Sequence, residues 1–178
     1  MITMDRRKFV EKTVLLGCSI SIFPALQSCK TTQSMTSEFV KNPINIEEVR
    51  EVVYYAHSDL KQVENLISKS PKLINSTVDW GDGDFESALG AASHVGNLDI
   101  ANYLIQNGAR MDIFTMAMLG YSNDVINIIK RSPSTINIIG PHGLTLLHHA
   151  EIGVSSPDLS DYLKSNGLKE KFIETFKN

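Results

Sequence analysis

The feature that most constrains this chain is a segment type that returns four times. Each copy has small or aliphatic residues at helical spacing, a short polar turn, then a second amphipathic stretch. In the clearest copy, Ser87-Ala88-Leu89-Gly90-Ala91-Ala92 precedes His94-Val95-Gly96-Asn97-Leu98-Asp99, and Ile100–Ile105 follows, closed by Asn107-Gly108-Ala109. Thr145-Leu146-Leu147-His148-His149-Ala150 leads in the same way to Asp161-Tyr162-Leu163-Lys164-Ser165-Asn166-Gly167. Two weaker copies run from Tyr55-Ala56-His57-Ser58-Asp59-Leu60 into Val63–Ile67 and from Met116-Ala117-Met118-Leu119-Gly120 into Asp124–Ile129. A unit of this size cannot bury its own apolar face, so copies must stack. Ala88, Ala91, Ala92 and Ala117 let neighbouring helices approach closely, while Leu89, Leu104, Ile129, Leu147 and Leu163 recur where residues bury between units.

The second-helix positions Leu66, Leu104, Ile129 and Leu163 are separated by 38, 25 and 34 residues. The interval of 25 leaves little room for a full loop between units two and three. The longest interval carries an added segment, Asp79–Glu86. Ser70-Pro71 and Ser132-Pro133 stop the second helices of units one and three.

These residues resemble the ankyrin repeat, with its T-P-L-H-x-A start, Gly turn, aliphatic second helix and Gly-Ala ending. Thr145, Leu147, His148 and Ala150 fall in the family's places, with Leu146 where its Pro stands. The Trp80–Glu86 loop running into Ala88–His94, with Gly140-Pro141-His142-Gly143-Leu144-Thr145 later, is similar to an exported bacterial subgroup of ankyrin-repeat proteins. The resemblance implies an all-α solenoid of about four degenerate repeats over 46–167, a protein-binding role, and no catalytic residue. In that family the histidine at the place of His148 is a structural bridge between its own turn and the next repeat. Leu168, Phe172 and Phe176 at i, i+4 and i+8 predict a C-terminal capping helix over 168–177.

The first 28 residues read as an export signal. Arg6-Arg7-Lys8-Phe9 opens it, and Val14–Leu26 is a 13-residue apolar run, well short of the ~20 residues that span a bilayer. The Arg6-Arg7-x-Phe9 pattern resembles a twin-arginine translocation signal, and Leu26-Gln27-Ser28-Cys29 is similar to a lipobox whose cysteine is lipidated. Residues 29–43 are a polar tether and 44–178 the folded domain. The expected location is periplasmic or in the cell envelope, held to a membrane by lipid on Cys29.

The net charge is −3, and without residues 1–28 it is −5, with 13 basic side chains against 18 acidic. A mildly acidic domain is a poor nucleic-acid binder. Both cysteines, Cys18 and Cys29, precede the domain, so disulfides, thiolate metal sites and a cysteine nucleophile are excluded from it. No phosphate or dinucleotide loop and no nucleophile elbow occurs.

The expected function is therefore a monomeric interaction module for an unidentified protein, assistance to an exported enzyme being one such role, with no cofactor, catalytic or metal-binding residue. Its binding surface is expected on the loops, at Trp80, Asp82, Asp84, Glu86, His94 and His142. Asp82, Asp84 and Glu86 alternate, but an EF-hand's remaining positions are missing. The alternative is a hydrolase or metal-binding protein using an acidic and histidine site. It gains if Asp82, Asp84, His94 and His142 converge on a common point. If Cys29 carries the anchor, Cys29→Ser moves the protein from the membrane fraction to the soluble fraction, as cell fractionation with immunoblotting will show.

Overall fold

The computed structural model describes residues 43–154 and 157–174. The export signal, Cys29 and the tether up to residue 42 lie outside the described residues. The fold is mostly helical, with one small sheet. Its α-helices are α1 Ile46–Tyr55, α2 Leu60–Lys69, α3 Ala88–His94, α4 Leu98–Gln106, α5 Ile113–Met118, α6 Ser122–Arg131, α7 Leu146–Ile152 and α8 Pro157–Ser165. They follow one another as four pairs joined by tight turns. Among the described residues no helix is long and apolar enough to cross a membrane.

Local chemistry sets the helix starts. The side chains of Asn45, Asp59, Ser87, Asn97 and Asp112 each accept a first-turn backbone N–H of the helix that follows, satisfying donors that have no partner inside the helix. Ser70-Pro71 and Ser132-Pro133 end α2 and α6 and open single-turn 3-10 helices, Pro71–Asn75 and Pro133–Asn137.

The first helices of the pairs pack in series, α1 on α3, α3 on α5 and α5 on α7, and α3 also touches α7. Ala88, Ala91, Ala92 and Ala117 are fully buried there. Their small size also admits a polar pair in the same layer: buried Ser93 Oγ lies 2.9 Å from Thr115 Oγ1. Two apolar cores result. One gathers Val52, Val53, Leu73, Leu89 and Leu104 from the first half, and the other Val125, Ile129, Leu147, Leu159 and Leu163 from the second. Met118 joins the first and its neighbour Ala117 the second.

The sheet is an antiparallel hairpin of β1 Thr77–Asp79 and β2 Phe85–Ser87. Its tip takes three successive residues at positive φ, Gly81, Asp82 and Gly83, a conformation that glycine adopts freely and aspartate tolerates. β2 runs directly into the N-cap of α3.

The C-terminal segment differs from expectation. Residues 168–174 form no helix. Instead the segment pairs with the stretch before α7: Thr145 N–H donates to Lys171 O, Thr145 Oγ1–H to Glu170 O, and Ile173 N–H to Gly143 O. These long-range backbone partners replace the i to i−4 bonds a helix would have used. A Cβ at residue 143 would overlap the Ile173 carbonyl, so glycine is required there. Leu168 is buried as the apolar stripe implied, but Phe172 is 55% exposed, and Phe176 lies outside the described residues. Leu104 is fully buried between pairs, so Leu104→Ala is expected to cost roughly 2–5 kcal/mol. Chemical denaturation checks this, and an unmoved midpoint would place Leu104 outside the core.

Candidate metal centre

The chain has five histidines, and the fold gathers all of them into one region. Three surround a single buried carboxylate. Glu86 Oε1 lies 2.9 Å from His94 Nδ1, 3.4 Å from His142 Nε2 and 3.9 Å from His57 Nε2. The four donor atoms all lie within 4.8 Å of one another. A tetrahedral ion with ligands at about 2.0–2.1 Å holds its donors about 3.4 Å apart, so the observed separations bracket that value.

Each side chain arrives from a different element. His57 follows α1, Glu86 sits in β2, His94 ends α3, and His142 lies in the turn before α7. Gly90 packs beside the hairpin, where a Cβ would come within 3.8 Å of Glu86 Cγ and Pro141 Cγ.

The surrounding bonds aim lone pairs inward. His57 Nδ1 lies 3.0 Å from both the Val53 and Tyr54 carbonyl oxygens. Those acceptors place the proton on Nδ1 and leave Nε2 free. Asp84 clamps His142 twice, accepting its backbone N–H at 2.8 Å and facing its Nδ1 at 2.7 Å. The same tautomer follows, with Nε2 turned to the cluster. This clamp also holds His142 at φ 58, an uncommon conformation for a residue with a side chain. Trp80 Nε1–H donates to Glu86 Oε2 at 2.7 Å, which fixes the carboxylate and leaves Oε1 toward the imidazoles. His148 Nε2 reaches the His94 carbonyl at 2.7 Å. Carboxylate or carbonyl partners behind imidazole ligands are the usual outer shell of metal sites.

Among the described residues, two buried side-chain atoms have no hydrogen-bond partner, Glu86 Oε1 and His94 Nδ1. They are 2.9 Å apart but not aligned as donor and acceptor, so the contact is a close approach. Burial pushes the Glu86 carboxyl upward. His94 beside it, the Trp80 N–H and the charges of His94 and His142 outweigh that and hold it below the usual carboxylate range. The group is thus an anion with no exposed surface, which is costly unless compensated.

Of the residues expected at the site, Glu86, His94 and His142 converge, Asp84 stands directly behind His142, and Trp80 behind Glu86. Asp82 takes no part and lies at the exposed hairpin tip. β2 turns Glu86 inward, and the Asp84 clamp turns His142 toward it. His57 escaped the sequence reading. A signal for it existed: His57 and His94 are 37 residues apart, close to the 38 between Leu66 and Leu104, and so occupy equivalent places after their first helices.

No family model and no curated protein matches this chain.

The bridging role expected of His148 is divided between two residues. His148 spans to α3, while buried His149 points Nδ1 at Thr145 O, 2.9 Å away, on its own turn. Burial pulls the His149 pKa down to about 4. The folded protein keeps it neutral down to that pH, whereas the unfolded chain takes up its proton near 6.5. Stability from this group is present above pH 6.5 and lost as pH falls toward about 4, by roughly 2–3 kcal/mol. Denaturation of wild type and His149→Gln across that window should show a shallower loss in the variant. Parallel curves would remove His149 as the cause.

Proposed function

We propose that this protein binds one divalent transition-metal ion through His57, Glu86, His94 and His142. The observation that carries the reading is the pair of buried atoms without a hydrogen bond, Glu86 Oε1 and His94 Nδ1, which face one another at 2.9 Å, with His57 Nε2 and His142 Nε2 directed at the same place. Three imidazoles and one carboxylate suit zinc, cobalt, nickel, copper(II) or iron(II) better than calcium or magnesium, which prefer all-oxygen sites. Charge supports this too. The carboxylates Glu86 and Asp84 balance the two charges of the ion, so a buried anion becomes part of a neutral assembly.

The interaction-module reading stands beside this one, favoured by exposed Trp80, Phe85 and Tyr54 around the same hairpin. An ion joining the hairpin to the His142 turn would hold such a surface in one shape. The four helix pairs, the buried alanines between their first helices and the T-x-L-H segment of α7 support an ankyrin-type stack of degenerate repeats. The Arg6-Arg7-x-Phe9 leader belongs to a class associated with cargo that folds before export. It suits a domain that acquires its ion first and is then held in the envelope through Cys29.

Isothermal titration of metal-free protein with zinc tests the reading. One ion per chain is expected. At a free concentration of 100 times Kd the ion would add about 2.7 kcal/mol of stability, seen as a raised melting temperature. Glu86→Gln and His94→Ala, checked for folding by circular dichroism, should lose both effects. Wild type that takes up no zinc, or folded variants that bind as tightly, would overturn the proposal.

A further inference from the structure

This inference rests on the metal reading and concerns what the ion does once bound. The four donors come from four separate places: His57 follows α1, Glu86 lies in β2, His94 ends α3 and His142 stands in the turn before α7. Four protein donors complete a tetrahedral set, which marks structural ions; catalytic ions of this class keep one position for water or substrate. The assembly with Glu86 and Asp84 is neutral, so no charge remains to draw a fifth, anionic ligand. The centre is filled by protein donors and still reachable. The Glu86 side chain is 0% and His94 11% exposed, against 30% for His57 and 38% for His142, so an ion has a way in past the last two.

The hairpin is the element that such an ion holds. Its two faces differ. Val78 and Glu86 point inward, while Thr77, Phe85 and Ser87 alternate with them and border the 580 Å³ cavity. That cavity lies between the hairpin and the Ile139–Pro141 turn, so little packing joins the two on that side. Among the described residues, the side-chain polar contacts of residues 80–86 beyond the hairpin all end on histidines. Asp84 meets His142, and Glu86 meets His57, His94 and His142.

We infer that the ion is a reversible clamp: all its ligands are protein side chains, and its binding locks the Thr77–Ser87 hairpin onto the turn that carries His142. Two states follow from the same atoms. Without an ion, the closed hairpin keeps Glu86 Oε1 and His94 Nδ1 buried with no hydrogen bond, and opening lets both bond to water. With an ion, opening breaks a metal–carboxylate bond. The ion therefore favours the closed state by the difference in its affinity for the two. What it fixes is the surface that the hairpin carries, where Trp80 is 42% and Phe85 61% exposed. The supply of metal thereby sets whether that surface is presented in one shape.

Zinc-free and zinc-loaded protein are compared by amide hydrogen exchange and by the fluorescence of Trp80, the chain's only tryptophan. Amides of residues 80–86 should exchange at least about tenfold more slowly with zinc, and those of α6 and α8 should change far less. Trp80 emission should shift and saturate at one zinc per chain. Cobalt(II)-loaded protein should keep its visible spectrum when azide is added, because a closed set offers azide no position. Zinc bound one-to-one with unchanged exchange in the hairpin, or with slowing spread evenly over the helices, would overturn the clamp alone. A cobalt spectrum altered by azide would overturn the closed set. No zinc bound at all would overturn the metal reading beneath it.

Discussion

A single carboxylate is the point on which the rest of this structure turns. Glu86 is fully buried, it is charged, and three histidines from three parts of the chain face it. Removing such an anion from water costs several kcal/mol unless partners return the lost solvation. One oxygen is paid for by the Trp80 N–H, and the other is left to the imidazoles. Hairpin, helix ends and the turn before α7 must therefore hold their relative places, since displacing any one of them strands the charge. The outer bonds serve the same end. Asp84 fixes His142, two carbonyls fix His57, and His148 fixes the end of α3 that carries His94.

Much of the helical layout was legible in the residues. Alanines and leucines at helical spacing, N-cap side chains and Ser-Pro stops are local signals, and each acts within a few residues of where it stands. The loops that hold the site were also singled out, because glycine, acid, tryptophan and imidazole together are unusual for segments that only connect helices. Which of their residues would converge was not legible. Asp82 and Asp84 differ by two positions and look alike in the sequence. The three positive-φ residues of the hairpin tip send Asp82 outward, while Asp84 is carried back against His142. That outcome depends on contacts between residues 58 positions apart, which no periodicity reports.

The C-terminal segment shows the same limit from the other side. Its apolar spacing of four is helical, and Leu168 does bury. Yet the polar groups of Thr145 and the backbone of Gly143 offered the segment stronger partners than its own next turn. Periodicity states which face is apolar. It does not state whether the backbone bonds that accompany the face are made within the segment or to a neighbour. By bonding the residues on either side of Leu144, the segment also steadies the turn that carries His142, and so contributes to the cluster without touching it.

The short connection between α4 and α5 explains why the cluster is possible at all. Only six residues, Asn107–Asp112, join α4 to α5, and they leave no loop matching the hairpin before α3 or the turn before α7. A loop of ordinary length there would stand between those two and keep them apart. Without it, α3 touches α7 directly, Asp84 reaches His142, and His148 reaches the carbonyl of His94. The interval of 25 residues between Leu104 and Ile129 thus goes with close approach of the second and fourth helix pairs. The short α4–α5 connection also leaves the 580 Å³ cavity between the hairpin and the Ile139–Pro141 turn. One short connection therefore bears on both the contact that assembles the histidines and the space beside it.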